Sequence, residues 1–135
     1  MAYTVKTGRG AVLATLTAAG LTLLAAAASA HHSSAGFESE KTIALNGTVR
    51  EFQWANPHIW IQLNVTAADG ASEEWSVEGG VPNRLFRAGW RPDSFTPGEE
   101  VTIVVRPMKD GGKAGIFVGA KFPDGSTLGR FPDAP

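Results

Sequence analysis

Between residues 42 and 122 the chain runs through segments in which apolar and polar positions alternate with a period of two, separated by breaks and one short helical stretch. Ile43, Leu45, Gly47 and Val49 alternate with polar or small residues. Phe52 and Trp54 continue the apolar set with the parity shifted by one. A parity shift within one run predicts a long, bent strand with a bulge near Arg50 or Glu51. After Asn56-Pro57, Ile59, Ile61, Leu63 and Val65 take one face, and His58, Trp60, Gln62 and Asn64 the other. That is a half-buried second strand. Ala68-Asp69-Gly70 is a turn signal, and a third strand follows with Trp75 and Val77 opposite Glu74, Ser76 and Glu78.

Gly79-Gly80 breaks the alternation. Val81 to Ala88 then reads as a short helix, with Val81, Leu85 and Ala88 on one face, Pro82 in the first turn and Gly89 at the end. Trp90 and Phe95 are placed to cover its C-terminal side. Val101, Ile103 and Val105 mark a fourth strand, and Gly115 to Phe122 a fifth, with Asp124-Gly125 turning into a tail. Three strands, a short helix and two further strands is the order of a five-stranded, OB-like Greek-key barrel. A β-sandwich of the cupredoxin or immunoglobulin type is the rival, but it needs seven or more strands and five are visible. The fold class is therefore all-β with one small helix.

The first thirty residues change the picture of the whole. They contain Lys6 and Arg9 and no acid, then only Ala, Leu, Val, Thr and Gly from Ala11 to Ala28, and close on Ala28-Ser29-Ala30. This is the pattern of a secretory signal peptide. An uncleaved membrane anchor is the alternative, since the apolar stretch approaches bilayer-spanning length. The expected organisation is a signal peptide over 1–30, an N-terminal arm over 31–40 and a barrel domain over 41–135, in the periplasm or outside the cell. The arm lacks any clear period, and Phe37 is its candidate anchor. Cleavage would leave roughly 105 residues starting at His31, enough for a single domain.

Composition then removes several function classes. Two of the 12 basic residues lie in the leader, which leaves ten against 13 acids. A mildly acidic domain is a poor general binder of nucleic acid, which demands phosphate neutralisation. The absence of cysteine removes thiol catalysis, thiolate metal sites and disulfides, so the core alone must hold the fold. No second apolar segment is long enough to cross a membrane, so no membrane partner is expected once the signal is cut.

Several features occur together: His31-His32-Ser33, Leu45-Asn46-Gly47-Thr48-Val49, Asn56-Pro57-His58, Pro82-Asn83 and Gly89-Trp90. In this combination the chain resembles a family of small exported bacterial proteins known only as a domain of unknown function. The resemblance spans nearly all of the chain after the leader. It implies a periplasmic or secreted location and a small β-domain, and brings no established activity.

Candidate chemistry centres on the three histidines. His31 and His32 stand at the expected new N-terminus, and His58 opens the second strand. An N-terminal His offers its α-amine and ring Nδ1 to one ion, and a third nitrogen from a distant His would complete a T-shaped set. Copper(II) suits such nitrogen-only, tetragonal sites. The arrangement resembles the histidine brace of copper proteins whose mature chain starts with His. An unperturbed amine titrates near 7.7–8.0 and imidazole near 6.5, so binding would weaken steeply in mild acid. His32 offers a different mode, through amine, deprotonated amide and ring, which needs no folded partner. Solvated histidines near a cleavage site are the plain alternative.

A second candidate is the face carrying Trp60, Gln62 and Asn64. In OB barrels the face of strands 2 and 3 commonly binds ligands, and an exposed Trp there can stack on a sugar, a peptide or a planar ring. Arg84, Arg87 and Arg91 around the helix can hold an anion or form a solvated face. Gly79-Gly80 and Gly111-Gly112 are turn glycines without a phosphate-loop fingerprint. No Ser-His-Asp set and no acid pair supports hydrolysis. The expectation is a non-enzymatic exported binding or accessory protein. Its copper site would use His31, His32 and His58. The alternative is a module that binds a small ligand, peptide or periplasmic protein on the Trp60 face with no metal. A copper oxidase on the same brace is a weaker third reading.

Overall fold

The structure is a computed structural model and describes residues 34–131. The chain divides into two units, Met1–Ala35 and Gly36–Pro135. The expected signal peptide, His31 and His32 lie outside the described residues.

The second unit holds β1 (Ile43–Gln53), β2 (Trp60–Thr66), β3 (Ser72–Glu78), α1 (Pro82–Arg87), β4 (Glu100–Pro107), β5 (Ala114–Lys121) and β6 (Thr127–Gly129). The sheet order is β3-β2-β1-β4-β5-β6, and a further pairing of β3 with β5 closes the first five strands into a barrel. All pairings are antiparallel except this closure, where Ser76, Val77 and Glu78 run parallel to Ala114, Gly115 and Ile116. The predicted five-stranded barrel with a helix between its third and fourth strands is what forms.

β1 is long because it serves two partners. Its first half pairs with β4, from Ile43 opposite Val105 to Thr48 opposite Glu100. Its second half pairs with β2, ending at Gln53 opposite Trp60. The register slips between Val49 and Glu51, where the parity shift placed the bulge. At that point Val49 leaves β4 and bonds the turn before it, donating to Glu99 O at 2.8 Å and accepting from Gly98 N at 2.8 Å. The bulge is thus where β1 bends from one partner to the other.

The core is the set of inward rows. Ile59, Ile61, Leu63, Val77, Ile103 and Val105 are completely buried, joined by Leu45, Val49, Val65, Trp75 and Val101. Trp90 and Phe95 are buried as expected. Phe95 is the hub of an aromatic cluster, with ring centroids 5.2 Å from Phe52, 5.7 Å from Trp90 and 5.4 Å from Phe122. Burying such large rings offsets the lack of disulfides.

α1 is shorter than the predicted 81–88 because its ends are caps. Val81 precedes it in extended conformation and makes no side-chain cap, and Ala88 closes it. Gly89 follows with φ of 95°, a left-handed conformation that costs glycine least. One element escaped the sequence reading. The tail after Asp124-Gly125 returns as β6, where Leu128 pairs with Ala120. Three residues are too few to show a period. The visible part of the arm is tied down where expected: Phe37 bridges to Met108, and Glu38 N donates to Pro107 O at 2.9 Å.

Candidate functional site

The β2–β3 hairpin pairs residues at equal distances on either side of Asp69, so Trp60 faces Glu78, Gln62 faces Ser76 and Asn64 faces Glu74. The inward residues of the hairpin are core, and the outward ones form one polar row. Glu51 and Gln53 of β1 flank it, since Gln53 pairs with Trp60 and Glu51 with Gln62. Ser76 Oγ donates to Gln62 Oε1 at 2.6 Å. Arg50 reaches Glu74 at 3.6 Å, an exposed pair of little energetic weight.

The entrance to this row is set by backbone. Ile59 N donates to Gly80 O at 3.1 Å, and Gly79 N donates to Ile59 O at 2.9 Å. These two bonds extend the β2–β3 ladder past Glu78 and hold His58 beside it. The approach needs a glycine: a Cβ on Gly79 would stand 2.4 Å from Cγ1 of Ile59, whose side chain is fully buried. Gly79-Gly80, read as a turn, is therefore also the contact that seats Ile59 in the core and brings His58 to Glu78.

His58 Nδ1 pairs with Glu78 Oε1. The carboxylate side chain is mostly covered, at 16% exposure, whereas the imidazole is 38% exposed. An Nδ1–H directed at a carboxylate fixes the ring's orientation and leaves the Nε2 lone pair free. Among the described residues, Nε2 has no hydrogen-bond partner. Histidines that ligate metals have this arrangement, with the second nitrogen donating to a carboxylate. Trp60 stands next to the pair, two residues along the same face, and is partly exposed. Of the four tryptophans it alone is outside the core; Trp75 and Trp90 are buried in it and Trp54 packs against it.

The structure thus brings together His58, Trp60, Gln62 and Asn64 on one face, and adds Glu78, which the sequence reading placed outward without a role. Its signal was present: symmetry about the Asp69 turn puts Glu78 across from Trp60, hence diagonal to His58. Among the described residues no cluster of three or more His, Cys, Asp or Glu is arranged to hold a metal. The first two expected ligands lie outside those residues. Two open grooves lie elsewhere. One, of about 640 Å³, is lined by Asn46, Thr48, Thr102 and Lys121; the other, of about 550 Å³, by Ser94, Glu99 and Leu128.

Around the barrel closure, Glu73 accepts from Lys113 Nζ at 2.9 Å and from Trp75 Nε1 at 3.3 Å. The Lys113 bond first, and then the Trp75 bond, hold its carboxyl below the usual range. Asp124 is lowered likewise by its bonds from the Ser126 hydroxyl and amide. Both are surface turn and edge interactions away from His58.

A closed five-stranded barrel with a helix between its third and fourth strands and a His–Glu pair at one edge defines a small all-β domain protein. The chain belongs to the family of unknown function DUF6152, which matches residues 19–117. That span runs into β5 and contains every residue of the His58 site. No curated protein and no solved structure matches the chain.

Proposed function

We propose that the protein is an exported, non-enzymatic accessory protein that binds copper(II) through its mature N-terminus. His31 would supply the α-amine and ring Nδ1, and His58 the remote nitrogen through Nε2, with His32 as a substitute ligand. The observation that carries this reading is the His58–Glu78 pair, which orients the imidazole and leaves the nitrogen a metal needs unoccupied by hydrogen bonding. Cleavage after Ala30 would create the amine. Nitrogen-only ligation favours copper(II) over the other common divalent ions.

The test is a copper(II) titration of chain exported through its own leader, with the N-terminus verified by mass spectrometry and the complex followed by electron spin resonance. Tight one-to-one binding should survive His32→Ala and collapse in His58→Ala. Glu78→Gln should weaken it by about 10–100-fold, since the amide keeps the shape of the partner and loses its charge. Binding indifferent to His58→Ala would reduce the site to an ordinary peptide terminus and defeat the proposal.

Trp60 supports a second reading. A partly exposed indole outside the core, beside Gln62 and Asn64, is a stacking platform for a planar or sugar-like ligand or a partner peptide. Absence of any tight copper binding, together with ligand-induced fluorescence changes that vanish in Trp60→Ala, would favour this module over the metal site.

A further inference from the structure

The segment Gly79–Pro92, which carries α1, has a charge unlike the rest of the domain. It contains Arg84, Arg87 and Arg91 and no acid, whereas from His31 onward the remaining sequence has seven basic residues against 13 acids. Among the described residues, none of these arginines forms a salt bridge. The same segment holds both of the large apolar residues that are exposed there, Phe86 at 53% and Val81 at 41%. Arg91 is spent locally: its guanidinium lies 4.2 Å from the centroid of the Phe86 ring and donates to Trp90 O at 2.7 Å and Phe86 O at 3.2 Å. The first of these carbonyls lies just beyond the helix C-terminus, and the second is in its last turn. Arg84 and Arg87 are left exposed on the surface.

Two kinds of anionic surface can meet such a lobe. A specific protein partner needs about 800 Å² and 20–30 residues from each side. The lobe is one six-residue helix with its flanks, and none of its residues lines either groove. A small apolar tip ringed by arginines fits a soft, anionic interface better. Arginine stems lie along apolar surface while their heads meet phosphates, and an exposed Phe enters the headgroup boundary. We infer that the α1 lobe docks the domain peripherally on an anionic phospholipid surface, through Arg84, Arg87 and the Phe86 tip. This differs from the expectation of no membrane partner after signal cleavage, and it is independent of the copper reading.

The test uses the chain starting at His31, which contains every core residue among the described ones, so that the residues before it contribute nothing to binding. The protein is floated with vesicles of phosphatidylglycerol and, separately, of phosphatidylcholine, at low and at high salt. Association should be confined to phosphatidylglycerol and fall away with salt as the surface charge is screened. Arg84→Gln with Arg87→Gln should lower partitioning by roughly 30-fold, about fivefold for each arginine near an anionic surface. Phe86→Ser should lower it further with no change in salt dependence. Lys41→Gln with Lys121→Gln changes net charge equally outside the lobe and should leave partitioning within about twofold; an equal loss there would overturn the proposal. So would no association with phosphatidylglycerol at low salt, or equal association with both lipids. Binding to a soluble polyglutamate peptide without any to vesicles would also overturn it and assign the lobe to an acidic protein. Thermal melts of each variant confirm that the fold is intact.

Discussion

The two faces of β2 lie on the same seven residues and follow opposite rules. Ile61, Leu63 and Val65 point inward with Ile59 just before them, and they are sealed by β1, β3 and β4. Trp60, Gln62 and Asn64 point outward with His58 just before them, and the residues paired with them across the strands are polar. The inner face is constrained by volume, so what matters there is size and shape. The outer face is constrained by partners, so what matters there is which atom faces which. Glu78 contributes nothing to the core, yet it determines which nitrogen of His58 is available.

That contrast can be broken by substitution. Ile61→Ala removes a fully buried side chain and should cost about 2–5 kcal/mol in denaturant unfolding. Gly79→Ala joins the two faces in one residue. Its methyl would strike Ile59, and a loss of about 1–3 kcal/mol should accompany displacement of His58 from Glu78, visible in the imidazole NMR shifts. A Gly79→Ala variant with wild-type stability would show that Ile59 can move aside. Trp60→Ala should change stability by less than about 1 kcal/mol despite the size of the side chain, because the indole is outside the core. A cost like that of Ile61→Ala would place Trp60 with the inner face.

The smallest effect belongs to Glu73. Its carboxyl is held low by Lys113 and Trp75, so the stabilisation is complete above the ordinary glutamate range. It is lost as pH falls through the lowered folded value. Glu73→Gln should therefore flatten the acid side of a stability–pH curve slightly, by lowering the neutral plateau a little while leaving the acid limit nearly unchanged. A flattening on the alkaline side instead would contradict the assignment.

Much of this was legible because strand periodicity is a local property. The alternation from Ile43 to Val65 identified both faces of β2, and the parity shift before Phe52 located the bulge near Arg50 or Glu51. The helix and both Gly-rich turns were marked by Pro82, Gly79-Gly80 and Gly89. β6 was hidden, since Thr127–Gly129 is too short to alternate and is held only by its pairing with β5. The His58–Glu78 pair went unread for a different reason, although the symmetry about Asp69 carried it. Twenty residues separate them, and only the hairpin register about Asp69 brings them together. Side-chain pairing across a turn depends on a register that composition does not state.

The closure of the barrel bears on how the domain keeps to itself among other chains. β5 offers one outer edge, and two short pairings divide it: β3 covers its start through Ser76–Glu78, and β6 covers its end through Thr127–Gly129. The stretch of β3 left beyond the closure carries Glu73 and Glu74, which engage Lys113 and Arg50. A charged edge is a poor template for another strand. A disulfide-free barrel is thereby guarded against the edge-to-edge stacking that leads β-proteins into aggregates.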